Sequence, residues 1–349
     1  MASKLTHGNS ITVTTPPMEA RLADDLPIGP GWQYEPKWDG FRCLAHRTQS
    51  GIELRAKSGK PLQRYFPEVV TALEAMPPGD FVIDGELAIR VDGSLSFDAL
   101  QMRLHPAESR IRNLSVETPA HIIAFDVLQT SSDGNLMDAP LRERRAALES
   151  IVHHAPSRAS LKLSACTHDR SRALRWLARA GGAIDGVIAK QLDASYLPGE
   201  RAMIKVKQIR TADCVVGGFR YGAGVDKVGS LLLGLFDADG LLQHVGYVSG
   251  IADHDKASLT KKLEALAGPP GFTGKAPGGP SRWSNARSTE WTSLMHKLVV
   301  EVHFDQVTGG RLRHGASFVR WRPDKAPAQC TMEQIMPVKA ARLLSELAK

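Results

Sequence analysis

Along the first 207 residues, charged side chains recur on or beside apolar, β-type runs, and any fold that hides those runs must gather the charges. They stand in Lys37-Trp38-Asp39-Gly40-Phe41-Arg42, Asp84-Gly85-Glu86, Phe125-Asp126, Asp185-Gly186-Val187-Ile188-Ala189-Lys190 and Lys205-Val206-Lys207. Such residues are seldom buried unless paired or functional. Residues 33–46 read as strand–turn–strand around Asp39-Gly40, and 81–89, 121–128, 186–190 and 202–207 as further strands. Pro67 opens a helix with Val69, Val70, Leu73 and Met76 at helical spacing. Residues 141–152 form another, with Arg142, Arg144 and Arg145 read as a solvated face, and 172–180 a third, stopped by Gly181-Gly182.

Past Lys207 the texture changes. Runs at 215–219, 230–236, 241–248, 298–304 and 317–321 are short and β-type, with a hairpin turn at Asp237-Ala238-Asp239-Gly240 and a Gly/Pro-rich loop at 268–280. Short strands with glycine-rich turns predict a small β-barrel of the OB type. The chain of 349 residues is long enough for two domains. A flexible arm over 1–15, a first domain over 16–209 and an OB-fold domain over 210–349, ending in a helix, are expected. The fold class is α+β: antiparallel sheets with helices, resembling an ATP-grasp arrangement, and then the barrel.

A net charge of +7 points to an anionic partner. Cys43, Cys166, Cys214 and Cys330 form no C-x-x-C pair, which argues against a zinc ribbon and fits a reducing compartment. No stretch reaches the roughly 20 apolar residues of a membrane span, and the first residues lack the apolar core of a signal peptide. A cytoplasmic protein that does not engage membranes is expected.

The charged set suits nucleotidyl transfer. A lysine amine attacks only when neutral, and neighbouring cations favour that form. The same cations stabilise charge on a phosphate undergoing substitution. Glu86 and Asp185 offer hard oxygen ligands for Mg²⁺ or Mn²⁺, or a clamp on a ribose. No G-x-x-x-x-G-K-[ST] segment occurs, which disfavours a P-loop ATPase.

Taken in order, these motifs resemble the covalent nucleotidyltransferase superfamily of DNA ligases, RNA ligases and capping guanylyltransferases, and most closely its short stand-alone bacterial ATP-dependent DNA ligases of the ligase C type. The resemblance spans roughly residues 17–334. It implies that Lys37 carries the nucleotide and that Arg42 closes its motif. Glu35 then reads the adenine edge, Glu86 lies near the ribose and Phe125 stacks on the purine. Asp185 falls at the metal carboxylate, Lys190 ends that motif, and Lys205 with Lys207 form the α-phosphate pair. Arg322 and Lys325, in Arg320-Trp321-Arg322-Pro323-Asp324-Lys325, match the motif that orients the pyrophosphate, and Arg201 lies in a familiar segment. Two positions depart from the family: Asp185 stands where glutamate is common, and Lys57 where many members place an arginine that binds bidentately. The 36 residues before Lys37 leave no room for the extra DNA-binding domain of larger members.

The resemblance further implies ATP and a divalent metal as cofactors, nicked duplex DNA as substrate, a primase-like repair polymerase as partner, and a monomer. An RNA ligase or capping guanylyltransferase shares Lys37 and most of the set, and a non-catalytic OB-type nucleic-acid-binding protein is the alternative of another class. Arg311 and Arg313, beside His314, are read as phosphate contacts in the barrel. Trp38, Trp283 and Trp321 read as core or hairpin anchors, and His153-His154 as an exposed helix end.

Overall fold

The computed structural model describes residues 14–156, 160–181, 184–278, 290–313, 315–336 and 347. The chain divides into two compact units, Met1–Gln208 with Val338–Lys349, and Ile209–Pro337. Most of the expected arm, Gly182, Trp283, His314 and nearly all of the expected C-terminal helix fall outside the described residues. No helix among the described residues is long and apolar enough to cross a membrane.

The first unit is built on two sheets. One runs Gly51–Ala56, Phe41–Thr48, Phe81–Val91, Ala120–Thr130, Gly134–Asn135, antiparallel throughout, with Leu161–Leu163 joining Ala120–Thr130 in parallel. The other runs Ala20–Leu22, Met203–Lys207, Ile184–Gln191, Trp32–Trp38. Trp38, Ala88, Ile123, Phe125, Val187 and Val206, drawn from both sheets, share one buried apolar cluster. The first sheet's other face is covered by Val69 and Leu73 of the Pro67–Glu74 helix, whose proline pre-sets the first turn, and by Leu148 of Leu141–His153.

Strands flank Asp39-Gly40 as the sequence indicates, but they are not a hairpin. Trp32–Trp38 pairs with Ile184–Gln191, while Phe41–Thr48 pairs with Phe81–Val91. Asp39-Gly40 therefore hands the chain from one sheet to the other. Glycine is required there because a Cβ on Gly40 would lie 2.2 Å from the Leu87 carbonyl oxygen. Local turn chemistry reports a reversal and is silent on which strand pairs with which.

The solvated-face reading of the Leu141–His153 helix is corrected at Arg144 and Arg145, which are buried; Arg142 is exposed. Arg144 donates from Nε to Asp126 Oδ1 at 2.8 Å and from Nη1 to the carbonyls of Ala139 and Ala194. Arg145 donates to Glu149 and to the Ser164 carbonyl. A burial pattern in which arginine counts as polar cannot foresee a carboxylate supplied 18 residues away. His153 and His154 are exposed at this helix's end. The helices Phe97–Arg103 and Glu108–Glu117 and the strand Gly51–Ala56 were not anticipated.

In the second unit, Leu242–Val248, Val228–Phe236, Arg210–Tyr221, Val299–Phe304 and Ser317–Trp321 form an antiparallel sheet in that order. Its two edges meet through a parallel bridge between Val248 and Ala316, which closes the sheet into a barrel. The foreseen turn joins two strands: Asp237 Oδ1 accepts the N–H groups of Asp239 and Leu241, and Gly240 takes the left-handed conformation. Val216, Phe219, Leu233, Val245 and Val300 fill the interior. The Asp253–Glu264 helix, of weak apolar periodicity, was missed.

Candidate active site

Cross-strand register assembles the site. Gly186 lies opposite Lys37 on one side and Lys207 on the other, so the two lysines flank a residue without a side chain. The strands are close enough there that a Cβ on Gly186 would lie 2.1 Å from the Val206 carbonyl oxygen. Asp185 precedes it and is buried. Its Oδ2 accepts from Lys37 Nζ at 2.5 Å and lies 3.1 Å from Lys207 Nζ, while its Oδ1 is buried with no hydrogen-bond partner. Two residues along the same strands, Ile188 lies opposite both Glu35 and Lys205.

A cavity of about 260 Å³ opens here, and Glu35, Lys37, Arg42, Lys57, Glu86, Phe125, Lys190 and Lys205 line it. Phe125, core or stacker on sequence grounds, is buried and reaches the wall. Two cations flank its ring, the Arg42 guanidinium at 4.5 Å and Lys190 Nζ at 4.9 Å from the centroid. Lys190 Nζ is 2.9 Å from Glu35 Oε2, and Gln33 donates to Glu35 Oε1 at 2.8 Å. Both oxygens of Glu35 are thus engaged within the protein.

Arg42 donates to Asp84 with both Nε and Nη2, at 2.5 and 2.6 Å. Glu86 accepts the Gly40 N–H at 3.1 Å; burial pushes its carboxyl up to about 7 against the opposing pull of Arg42 and Lys37. Lys205 is lowered, first by burial and then by Lys37, Lys207, Lys57 and Arg201. Lys57 pairs with Glu19 at 2.9 Å, and exposed Arg201 lies 3.9 Å from the same carboxylate.

In the second unit, Arg322 and Lys325 both pair with Asp213, at 2.8 and 3.2 Å, and Arg322 holds the Asp324 carboxyl down to about 2. Arg311 is exposed and contacts His244 Nδ1 at 3.1 Å; Arg313 donates to Gln306 at 2.8 Å. Trp38 is an anchor, donating from Nε1 to Ser164; Trp321 is half-buried. Sequence reasoning missed buried groups behind the site, above all Gln33 and Arg144, the partners of Glu35 and Asp126, and gave Tyr196 no role of its own. The Asp84-Gly85-Glu86 and Phe125-Asp126 motifs, and the Tyr196–Arg201 segment, pointed towards them.

A two-sheet α+β unit with a cation-rich cavity, followed by a closed OB-type barrel, defines the nucleotidyltransferase–OB class. Residues 18–207 match the family described as "ATP dependent DNA ligase domain", and 225–325 match "ATP dependent DNA ligase C terminal region". The chain belongs to the ATP-dependent DNA ligases. It is 42% identical over 335 residues to DNA ligase C2 of Mycolicibacterium smegmatis, covering 91% of this chain and 93% of that one. To DNA ligase C of Mycobacterium tuberculosis it is 41% identical over 337 residues, covering 92% and 94%. A solved structure described as mycobacterial DNA ligase D complexed with ATP and MES superposes with a TM-score of 0.51 at 28% identity, covering 91% of this chain and 98% of that one.

Proposed function

We propose that this ligase seals 3′-hydroxyl/5′-phosphate nicks through AMP carried on Lys37. The observation that carries the proposal is the Lys37 amine in the wall of a cavity shared with Arg42, Lys190 and Lys205. In the first step Nζ forms a bond to the α-phosphorus of ATP, the bond to the β-phosphate oxygen breaks, and pyrophosphate leaves. The ammonium first gives up its proton to solvent, a loss the neighbouring cations favour, and Asp185 Oδ2, which accepts its hydrogen bond, orients Nζ. AMP then passes to the 5′-phosphate of a nick, and the 3′-hydroxyl displaces it. Lys205 and Lys207 stabilise phosphate charge, Arg42, Glu86 and Phe125 hold the nucleoside, and Glu35 with Lys190 fixes the adenine end.

A hard divalent cation fits Asp185, whose Oδ1 is a buried oxygen without a partner. Among the described residues no cluster of three ligating side chains stands ready, so water and phosphate oxygens would complete its shell. When bound, Mg²⁺ or Mn²⁺ would neutralise phosphate charge. Asp185→Asn is expected to stay folded and to lose the dependence of AMP labelling on divalent concentration, together with most of the labelling. Titration of labelling against Mg²⁺ checks this; an unchanged curve would remove Asp185 from the site.

The reading extends to repair. A relative 31% identical over 310 residues, 37% of its own length, is named a multifunctional non-homologous end joining protein of Mycobacterium bovis. Work alongside a separate repair polymerase, by a monomer in the cytoplasm, belongs to the same proposal. Arg201, Arg311 and Arg313 are its candidate DNA contacts, and Arg322 and Lys325 its candidate pyrophosphate contacts. Nick affinity is expected to fall steeply with salt, with a log–log slope of about −0.9 for each phosphate contact. Replacing Arg311 and Arg313 by alanine should flatten that slope by about 2. Equal slopes for wild type and variant would make the two arginines ordinary surface.

The deciding experiment is incubation with α-labelled ATP, then denaturing electrophoresis and a nicked-duplex sealing assay. Covalent label with sealing supports the proposal; sealing without protein-bound label overturns the covalent step.

A further inference from the structure

Tyr196 takes no part in the chemistry above, yet it is buried and its hydroxyl is fully engaged. The oxygen accepts the Met18 N–H at 2.8 Å and donates to Asp84 Oδ2 at 2.6 Å. Asp84, with no exposure, gives both oxygens to Arg42. Arg42 Nη2 also donates to the Met18 carbonyl at 3.2 Å, so Met18, Tyr196, Asp84 and Arg42 close a ring drawn from four remote segments. Two members of that ring, Met18 and Arg42, line the nucleotide cavity, and Arg42 lies over the Phe125 ring.

Packing alone would be satisfied by phenylalanine, because a buried hydroxyl is tolerated only when bonded. Burial and the Asp84 carboxylate hold the phenol well above its usual range, so it remains an O–H donor. Arg42 could swing about its long side chain if Asp84 were free to turn; the Tyr196 hydroxyl removes that freedom.

We propose that Tyr196 is a positioning residue for nucleotide binding: through Asp84 it fixes the Arg42 guanidinium and ties it to the cavity wall at Met18. This rests on the reading that the cavity holds ATP. Arg42 lines the cavity wall and lies over the Phe125 ring, away from the Lys37–Asp185 pair, so its contribution is to holding the nucleotide rather than to the bond-making step. Loss of the hydroxyl should therefore raise KM for ATP and spare kcat.

The test is a double-mutant cycle in self-adenylylation. Tyr196→Phe is expected to raise KM for ATP about tenfold, the order of one hydrogen bond to a charged group, with kcat within about twofold. Arg42→Lys keeps the charge but cannot take both Asp84 oxygens, and in that background Tyr196→Phe should add less than about twofold. The same tenfold factor in both backgrounds, an unchanged KM, or a fall in melting temperature without a KM change overturns the proposal. Asp84→Asn repeats the test from the middle of the ring, and its effect should likewise shrink when combined with Tyr196→Phe. Wild-type protein that takes up no AMP would refute the lysyl-AMP reading and this inference with it; normal wild-type labelling with an unaltered Tyr196→Phe refutes this inference alone.

Discussion

Lys37→Ala is expected to carry no covalent AMP and to seal no nick from ATP, while still closing a nick that already bears AMP on its 5′-phosphate. Among the described residues no other amine is placed to substitute, and Lys57 in the same cavity wall is paired with Glu19. Lys190 is buried against Glu35, and Lys207 lies beside Asp185. Lys205 lines the cavity but occupies a different strand, opposite Ile188 rather than Gly186. The alanine protein should fold, because Asp185 keeps Lys207 at 3.1 Å and the lost lysine is partly exposed. A stability loss of no more than about 1–2 kcal/mol follows. Denaturing electrophoresis with labelled ATP, beside closure of a pre-adenylylated nick, checks both halves. Loss of both activities in a folded protein would give Lys37 a part in every step.

Asp126→Ala should be the most destabilising single change at the site. Asp126 and Arg144 are both about 1% exposed at the side chain and joined by two hydrogen bonds. Removing the carboxylate leaves a buried guanidinium with only the carbonyls of Ala139 and Ala194. Breaking a buried pair from one side costs about 3–5 kcal/mol, whereas replacing both partners with apolar groups is often neutral. For a unit of this size that is a fall of roughly 6–20 °C in melting temperature. Asp126→Leu with Arg144→Met should recover much of it. Calorimetry of the single and double variants decides: a single variant that melts like wild type would mean the pair is dispensable. Lys190 Nζ is 4.0 Å from Asp126 and borders the cavity, so AMP labelling of the single variant should suffer as well.

The two sheets and the barrel were legible because apolar runs and turn residues are local signals. Strand pairing was not: the Asp39-Gly40 turn looks the same whether it closes a hairpin or changes sheets, and only the Ile184–Gln191 strand, far along the chain, decides. The site's face was readable, since residues lining the cavity sit in motifs with known company. Its back was not. Arg144 on a basic helix looks solvated until Asp126 is beside it, and nothing local to Tyr196 tells that Asp84 and Met18 close around its hydroxyl. Phe97–Arg103 escaped because it is too brief for periodicity to stand out, and Glu108–Glu117 because it buries little beyond Ile111 and so shows no apolar stripe.

Everything proposed for this ligase turns on which atom holds the nucleotide between the first two steps. Wild-type protein incubated with ATP and Mg²⁺, digested and mapped by mass spectrometry, reads that atom directly. The account predicts AMP on the peptide containing Lys37 and on no other. AMP on Lys190, Lys205 or Lys207, or sealing by protein that never carries AMP, would contradict it.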